Sequence, residues 1–132
     1  MKKLYIEATE KTPEINFDNE VGLLKIKGKA IPEDPNIFYE EPQNWIIEYT
    51  KNPAQRTTLE LSLEYFNTSS SKIILDILNR VDALHREGKS EVSVKWFFES
   101  DDPDMEDAGN DYKHMVKAPF ELIPVDEFDF DF

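Results

Sequence analysis

The chain contains no cysteine, and that absence removes disulfide frameworks, thiol nucleophiles and thiolate zinc sites together. It fits a reducing compartment. No apolar run approaches the ~20 residues that a membrane-spanning helix needs. Glu7 and Glu10 follow Lys2 and Lys3 where a leader would place an apolar stretch, so the first residues do not read as a signal peptide. A cytoplasmic setting is expected. Histidine is scarce: His85 and His114 stand apart, neither with a second ligand at i+4, and each is expected to sit on the surface or at a cap. Positive charge is in deficit, with 15 Lys and Arg against 28 Asp and Glu, a net of −13. Such a chain repels nucleic acid and anionic membranes. Proteins are its expected partners, although the charge also serves plain solubility.

What is present suits one domain. The chain has 132 residues, 39% of them hydrophobic and 12% aromatic. Large aromatic side chains make an ordinary core possible without metals or disulfides. No repeat, linker or second domain is visible, so residues 1–125 read as one domain. Residues 126–132 alternate acids with Phe128, Phe130 and Phe132. They read as a solvated tail, with docking as an added strand on a sheet edge as the other outcome.

Hydrophobic periodicity sets the elements. Residues 4–8 and 13–17 are expected as short strands. Residues 22–30 alternate, with Leu24, Ile26 and Gly28 on one face and Lys25, Lys27 and Lys29 on the other. Asp34 and Pro35 form a helix start, and the helix is expected to reach about residue 51. Pro42 inside it predicts a kink or two pieces. Leu59, Leu61 and Leu63 alternate in a strand over 57–64 that Tyr65 and Phe66 prolong. A helix is expected over 71–87, with Ile74, Leu75, Leu78, Val81 and Leu84 as its buried stripe and Gly88 at its close. Val92, Val94, Trp96 and Phe98 mark one strand face. A helix over 103–115 follows, then a strand over 120–125. From residue 22 onward, strands and helices alternate, which implies parallel strands joined by helical crossovers. The earliest strands are close enough to pair antiparallel. The fold class is therefore α/β, a single mixed sheet with helices packed on it.

One segment has a chemical bias. Asn67-Thr68-Ser69-Ser70-Ser71 ends a strand and enters a helix. The first N–H groups of a helix lack partners and the dipole there is positive, so anions are stabilised. A phosphate on Thr68 would add roughly −1.5 to −2 charges at that turn. Asn67, Ser69 and Ser70 would shape it. Glu60, Glu64 and Asp76 make the surroundings acidic, with Lys72 and Arg80 as the nearest cations. Plain helix capping explains the same residues, since Asn, Ser and Thr are preferred caps worth ~1 kcal/mol. No histidine lies near to serve a serine nucleophile, and Gly-x-Ser-x-Gly is absent.

The stretch Leu61-Ser62-Leu63-Glu64-Tyr65-Phe66-Asn67-Thr68-Ser69-Ser70, followed by an amphipathic helix, resembles the SiaC family of bacterial regulatory phosphoproteins. Gly28-Lys29-Ala30-Ile31-Pro32-Glu33 is similar to that family's Gly-x-Ser-x-Pro-Glu loop, with Gly28, Pro32 and Glu33 as its matching residues and Ala30 in place of the usual serine. Phe38-Tyr39 to Trp45-Ile46 and Val92 to Trp96 also fit. The likeness spans roughly residues 12–125. It implies a fold of the STAS type, as in anti-sigma-factor antagonists. It implies phosphorylation of Thr68 by a cognate protein kinase and reversal by a PP2C-like phosphatase. It implies an effector such as a diguanylate cyclase, bound and activated by the unmodified form, with cyclic di-GMP and biofilm as the output.

The remaining motifs point elsewhere less firmly. Asp101-Asp102-Pro103-Asp104 lacks EF-hand spacing and reads as a helix cap with acids in the first turn. No metal, cofactor or catalytic residue is expected, and the chain is not expected to be an enzyme. The competing reading is a structural or oligomeric interaction subunit, in which Thr68 has no special role.

Overall fold

The computed structural model describes residues 1–130. The elements run β1 Leu4–Ile6, β2 Glu14–Asp18, β3 Leu23–Ala30, α1 Pro35–Lys51, β4 Arg56–Phe66, α2 Thr68–Arg86, β5 Glu91–Glu99, α3 Pro103–Lys113 and β6 Phe120–Val125. The six strands form one sheet in chain order. β1, β2 and β3 pair antiparallel, and β3 to β6 pair parallel. The expected mixed α/β sheet is therefore present.

Three successive parallel crossovers step in one direction, from β3 to β6. Right-handed crossovers of that kind place all three helices on the same face. Burial agrees. Ile15 and Phe17, Leu24 and Ile26, Leu59, Leu61 and Leu63, and Val94 and Trp96 are buried beneath the helices. Each such side chain contributes about 1.5–3 kcal/mol. The alternate residues Lys25, Lys27, Glu60, Ser62, Ser93 and Lys95 fall on the opposite face, which no helix among the described residues covers. One face of the sheet is thus a core wall and the other is open.

The helices depart from expectation in three places. α1 runs unbroken through Pro42. Pro42 is itself buried, with Tyr39 on one side of it and Ile46 and Tyr49 on the other. Packing of both halves on the sheet outweighs the ~3 kcal/mol that an interior proline costs. α2 begins at Thr68 rather than residue 71, and its buried stripe includes Ile77, whereas Leu75 is half-buried. α3 ends at Lys113, where the His114 ring bonds the Asn110 carbonyl oxygen at 2.7 Å. Asp102 caps α3 as expected, accepting from the Met105 N–H at 3.2 Å.

Past β6, residues 126–130 form no strand. The Phe128 N–H donates to a Glu99 carboxylate oxygen at 3.4 Å, and the Phe128 and Phe130 rings stack with centroids 4.7 Å apart. Asp131 and Phe132 lie outside the described residues.

Candidate regulatory site at the start of α2

The site is built where β4 hands over to α2. Gly28 in β3 pairs with Leu63, and Lys29 pairs with Tyr65, so Glu64 is an extra residue in β4. This bulge changes the alternation. Leu63 and Phe66 both face the helix layer, where Phe66 meets the rings of Trp96 and Tyr112 at 6.1 and 6.4 Å. Gly28, at φ 126°, supplies the backbone conformation that the shift requires, one that L side chains rarely adopt. Gly28 is thus a strand residue rather than part of a loop. Pro32 is buried in the β3–α1 connection, and Glu33 is exposed, with a Lys11 ion pair at 3.5 Å.

The strand then stops at Asn67. Its N–H donates to the Ala30 carbonyl at 3.1 Å, the last tie to β3. Its side-chain oxygen accepts from the Ser70 N–H at 2.9 Å, so Asn67 is the N-cap of α2. Thr68 and Ser69 are therefore the first two helical residues, and both are exposed. Among the described residues their backbone N–H groups have no protein acceptor. Thr68 does not project from a loop. It stands on the positive end of a 19-residue helix.

Ser70 has a different role from its neighbours. It is buried, and the Tyr39 hydroxyl of α1 donates to its Oγ at 3.0 Å. From the other side the Tyr112 hydroxyl of α3 donates to the Ser71 carbonyl at 2.9 Å. Burial pushes both phenols upward. For Tyr39 the effect exceeds the opposing hydrogen bond to Ser70. Tyr112 is pushed up to about 12 by burial and by nearby Tyr39. Two neutral tyrosines thus clamp the first turn of α2 to both flanking helices. The sequence offered one signal for them, since tyrosine rather than phenylalanine at a buried position brings a hydroxyl that needs a partner.

The structure separates the other sequence candidates. Arg80 is paired with Asp76 at 3.1 Å. Lys72, one turn beyond Thr68, makes no ion pair among the described residues. Glu64 lies on the open sheet face, away from the helix layer. Trp96 is fully buried, its Nε1 donating to the Met105 carbonyl at 3.0 Å. Trp45 stacks on Tyr49 at 5.2 Å. Among the described residues no cluster of His, Cys, Asp or Glu could hold a metal ion, and no helix is long and apolar enough to cross a membrane.

The profile of the SiaC family regulatory phosphoproteins matches residues 6–125. The chain belongs to the SiaC family. Among solved structures it is similar to apo-SiaC from Pseudomonas aeruginosa, with 27% identity and a TM-score of 0.85 over 93% of this chain and 99% of that one. It is also similar to the SiaC found in complex with the diguanylate cyclase SiaD, whose activator it is, with 26% identity and a TM-score of 0.87 over 92% and 99% of the two chains. An uncharacterized protein of Pseudomonas aeruginosa strain UCBPP-PA14 is 28% identical, over 96% of this chain and 100% of its own length. The family match places Asn67, Thr68, Ser69 and Ser70 inside the shared domain. It leaves residues 126–132 outside it.

Proposed function

We propose that this SiaC-family chain is a phospho-switched activator that binds an effector of the diguanylate cyclase class. Thr68 is the phosphoacceptor, a protein kinase modifies it, and a PP2C-like phosphatase restores it. The unmodified chain is the activating form, and the output is cyclic di-GMP and biofilm. The chain works in the cytoplasm as a binding protein of STAS type, without cofactor or catalysis of its own. Support for the effector comes from the relative that activates SiaD.

The observation that carries the switch is the exposed Thr68 hydroxyl at the first position of α2. Kinase and phosphatase can reach it without unfolding. A phosphate there would face the unpaired N–H groups and Lys72, so the helix would keep its geometry. The surface would still change. Roughly −1.5 to −2 charges would enter a chain of net −13. An acidic effector surface would then be repelled, and an arginine cluster recruited.

Phosphosite mapping in cells that carry the cognate kinase tests this reading, alongside pull-downs with wild type, Thr68→Ala and Thr68→Glu. A single dominant site at Thr68 is expected, with Thr68→Glu losing the cyclase that Thr68→Ala keeps. Identical partners for all three proteins would instead identify a structural subunit.

A further inference from the structure

The open face of the sheet is partly occupied by the chain's own end. β6 is an edge strand, and the five residues after it run back across its neighbours. Phe128 is tied to Glu99 at the end of β5. Phe128 and Phe130 border a groove with Glu64 of β4, Lys29 of β3 and Ile31 just past the end of β3. Phe130 and Asp129 border a second groove with Lys27 of β3, Glu14 of β2 and Tyr5 of β1. Strands lie about 4.8 Å apart, so reaching β3 from β6 spans roughly 14 Å, within the ~16 Å reach of five extended residues. Both phenylalanines are half-buried there.

The first groove also holds Lys11 and Lys29, but the charge in the second is mismatched. Asp129 shares its groove with Glu7, Glu10 and Glu14. Among the described residues the one cation lining it, Lys27, already pairs with Glu14 at 3.9 Å. The aromatic rings suit the surface and the acid between them does not. The segment lies beyond residues 6–125 of the family match, so the shared domain does not require it.

We propose that this face is a protein-docking groove for an aromatic–basic–aromatic segment of a partner, and that residues 126–130 are its tethered, weaker competitor. Two aromatic side chains at i and i+2 project to one side of an extended segment and fill the places of Phe128 and Phe130. A lysine or arginine between them meets the three glutamates that Asp129 opposes. A short tether gives the tail an effective concentration in the millimolar range, so it competes well while binding poorly.

The test uses two fluorescent peptides and the full chain. One peptide carries the sequence of residues 125–132, and the other carries that sequence with Asp129→Lys. Anisotropy titrations are run on wild type and on Phe128→Ala/Phe130→Ala, with circular dichroism confirming that the double variant is folded. The lysine peptide is expected to bind the double variant about tenfold more tightly than it binds wild type. It is also expected to bind the double variant several-fold more tightly than the acidic peptide does. Glu7→Lys/Glu10→Lys, added to the double variant, is expected to reverse that order. A control lysine peptide with both phenylalanines replaced by alanine separates this from bulk attraction to an acidic protein. Equal binding of that control, or equal affinity of wild type and the double variant for the lysine peptide, would overturn the proposal.

Discussion

Asp82 of α2 is a carboxylate with only 3% of its surface exposed. Its oxygens accept the Ala118 N–H at 2.8 Å and the Lys117 N–H at 3.0 and 3.2 Å. Arg86, one turn on, adds a contact at 3.2 Å. The carboxylate therefore fastens the α3–β6 connection to the middle helix. Asp82→Ala leaves the buried Ala118 amide without a partner, at a cost of about 1–3 kcal/mol. The Lys117 amide belongs to an exposed residue and recovers water, so its loss is smaller, roughly 0.5–1 kcal/mol. The Arg86 pair is half-exposed on the arginine side and contributes about 0.5 kcal/mol. The sum is about 2–4.5 kcal/mol, a large share of the 5–15 kcal/mol typical of a whole domain. At this chain length that lowers the melting temperature by roughly 10 °C. Urea unfolding followed by tryptophan fluorescence measures it. Asp82→Asn keeps one acceptor oxygen and is expected to lose about half as much. An Asp82→Ala protein within ~0.5 kcal/mol of wild type would show that water replaces the carboxylate, and the clasp would be no clasp.

Two further outcomes follow from the start of α2. Ser70→Ala strands the buried Tyr39 hydroxyl and should destabilise by about 1–2 kcal/mol, whereas exposed Ser69→Ala should change stability by less than ~0.5 kcal/mol, both read from urea midpoints. Tyr112 is the other handle, because its folded value near 12 exceeds the ordinary 10.0. A raised value means the folded state holds its proton longer. Its contribution is intact below pH 10.0 and is lost as pH rises toward about 12. Ultraviolet titration should show a late tyrosine step that Tyr112→Phe removes.

Much of this architecture was legible because strict alternation leaves little choice. Leu59, Leu61 and Leu63 demand a strand with one buried face, and Asp34-Pro35 demands a helix start. The start of α2 was harder to read. Asn67, Thr68, Ser69 and Ser70 are all acceptable caps, and chemistry alone does not choose among them. The tie from Asn67 to Ala30 chooses, and it depends on the register of two strands some thirty-five residues apart. The bulge at Glu64 is hidden for the same reason, because its requirement falls on Gly28 in the facing strand. Exposure of Thr68 and burial of Ser70 are consequences of that register. Pro42 misled in the opposite direction, since local cost was visible and the packing that outweighs it was not. In the tail, alternation announced Phe128, Phe130 and Phe132 on one side with a sheet edge as the docking surface, whereas residues 126–130 form no strand and Phe128 and Phe130 border grooves on the open face.

The two margins of the sheet have something in common. β1 at one margin is three residues long. β6 at the other carries Pro124, which has no N–H to offer a newcomer. Neither is a good template for a foreign strand, so lateral stacking of one molecule on the next is blocked at both ends. The molecule is thereby protected from adhering to itself along those margins, and a partner is left its uncovered face and the rim where the helices begin.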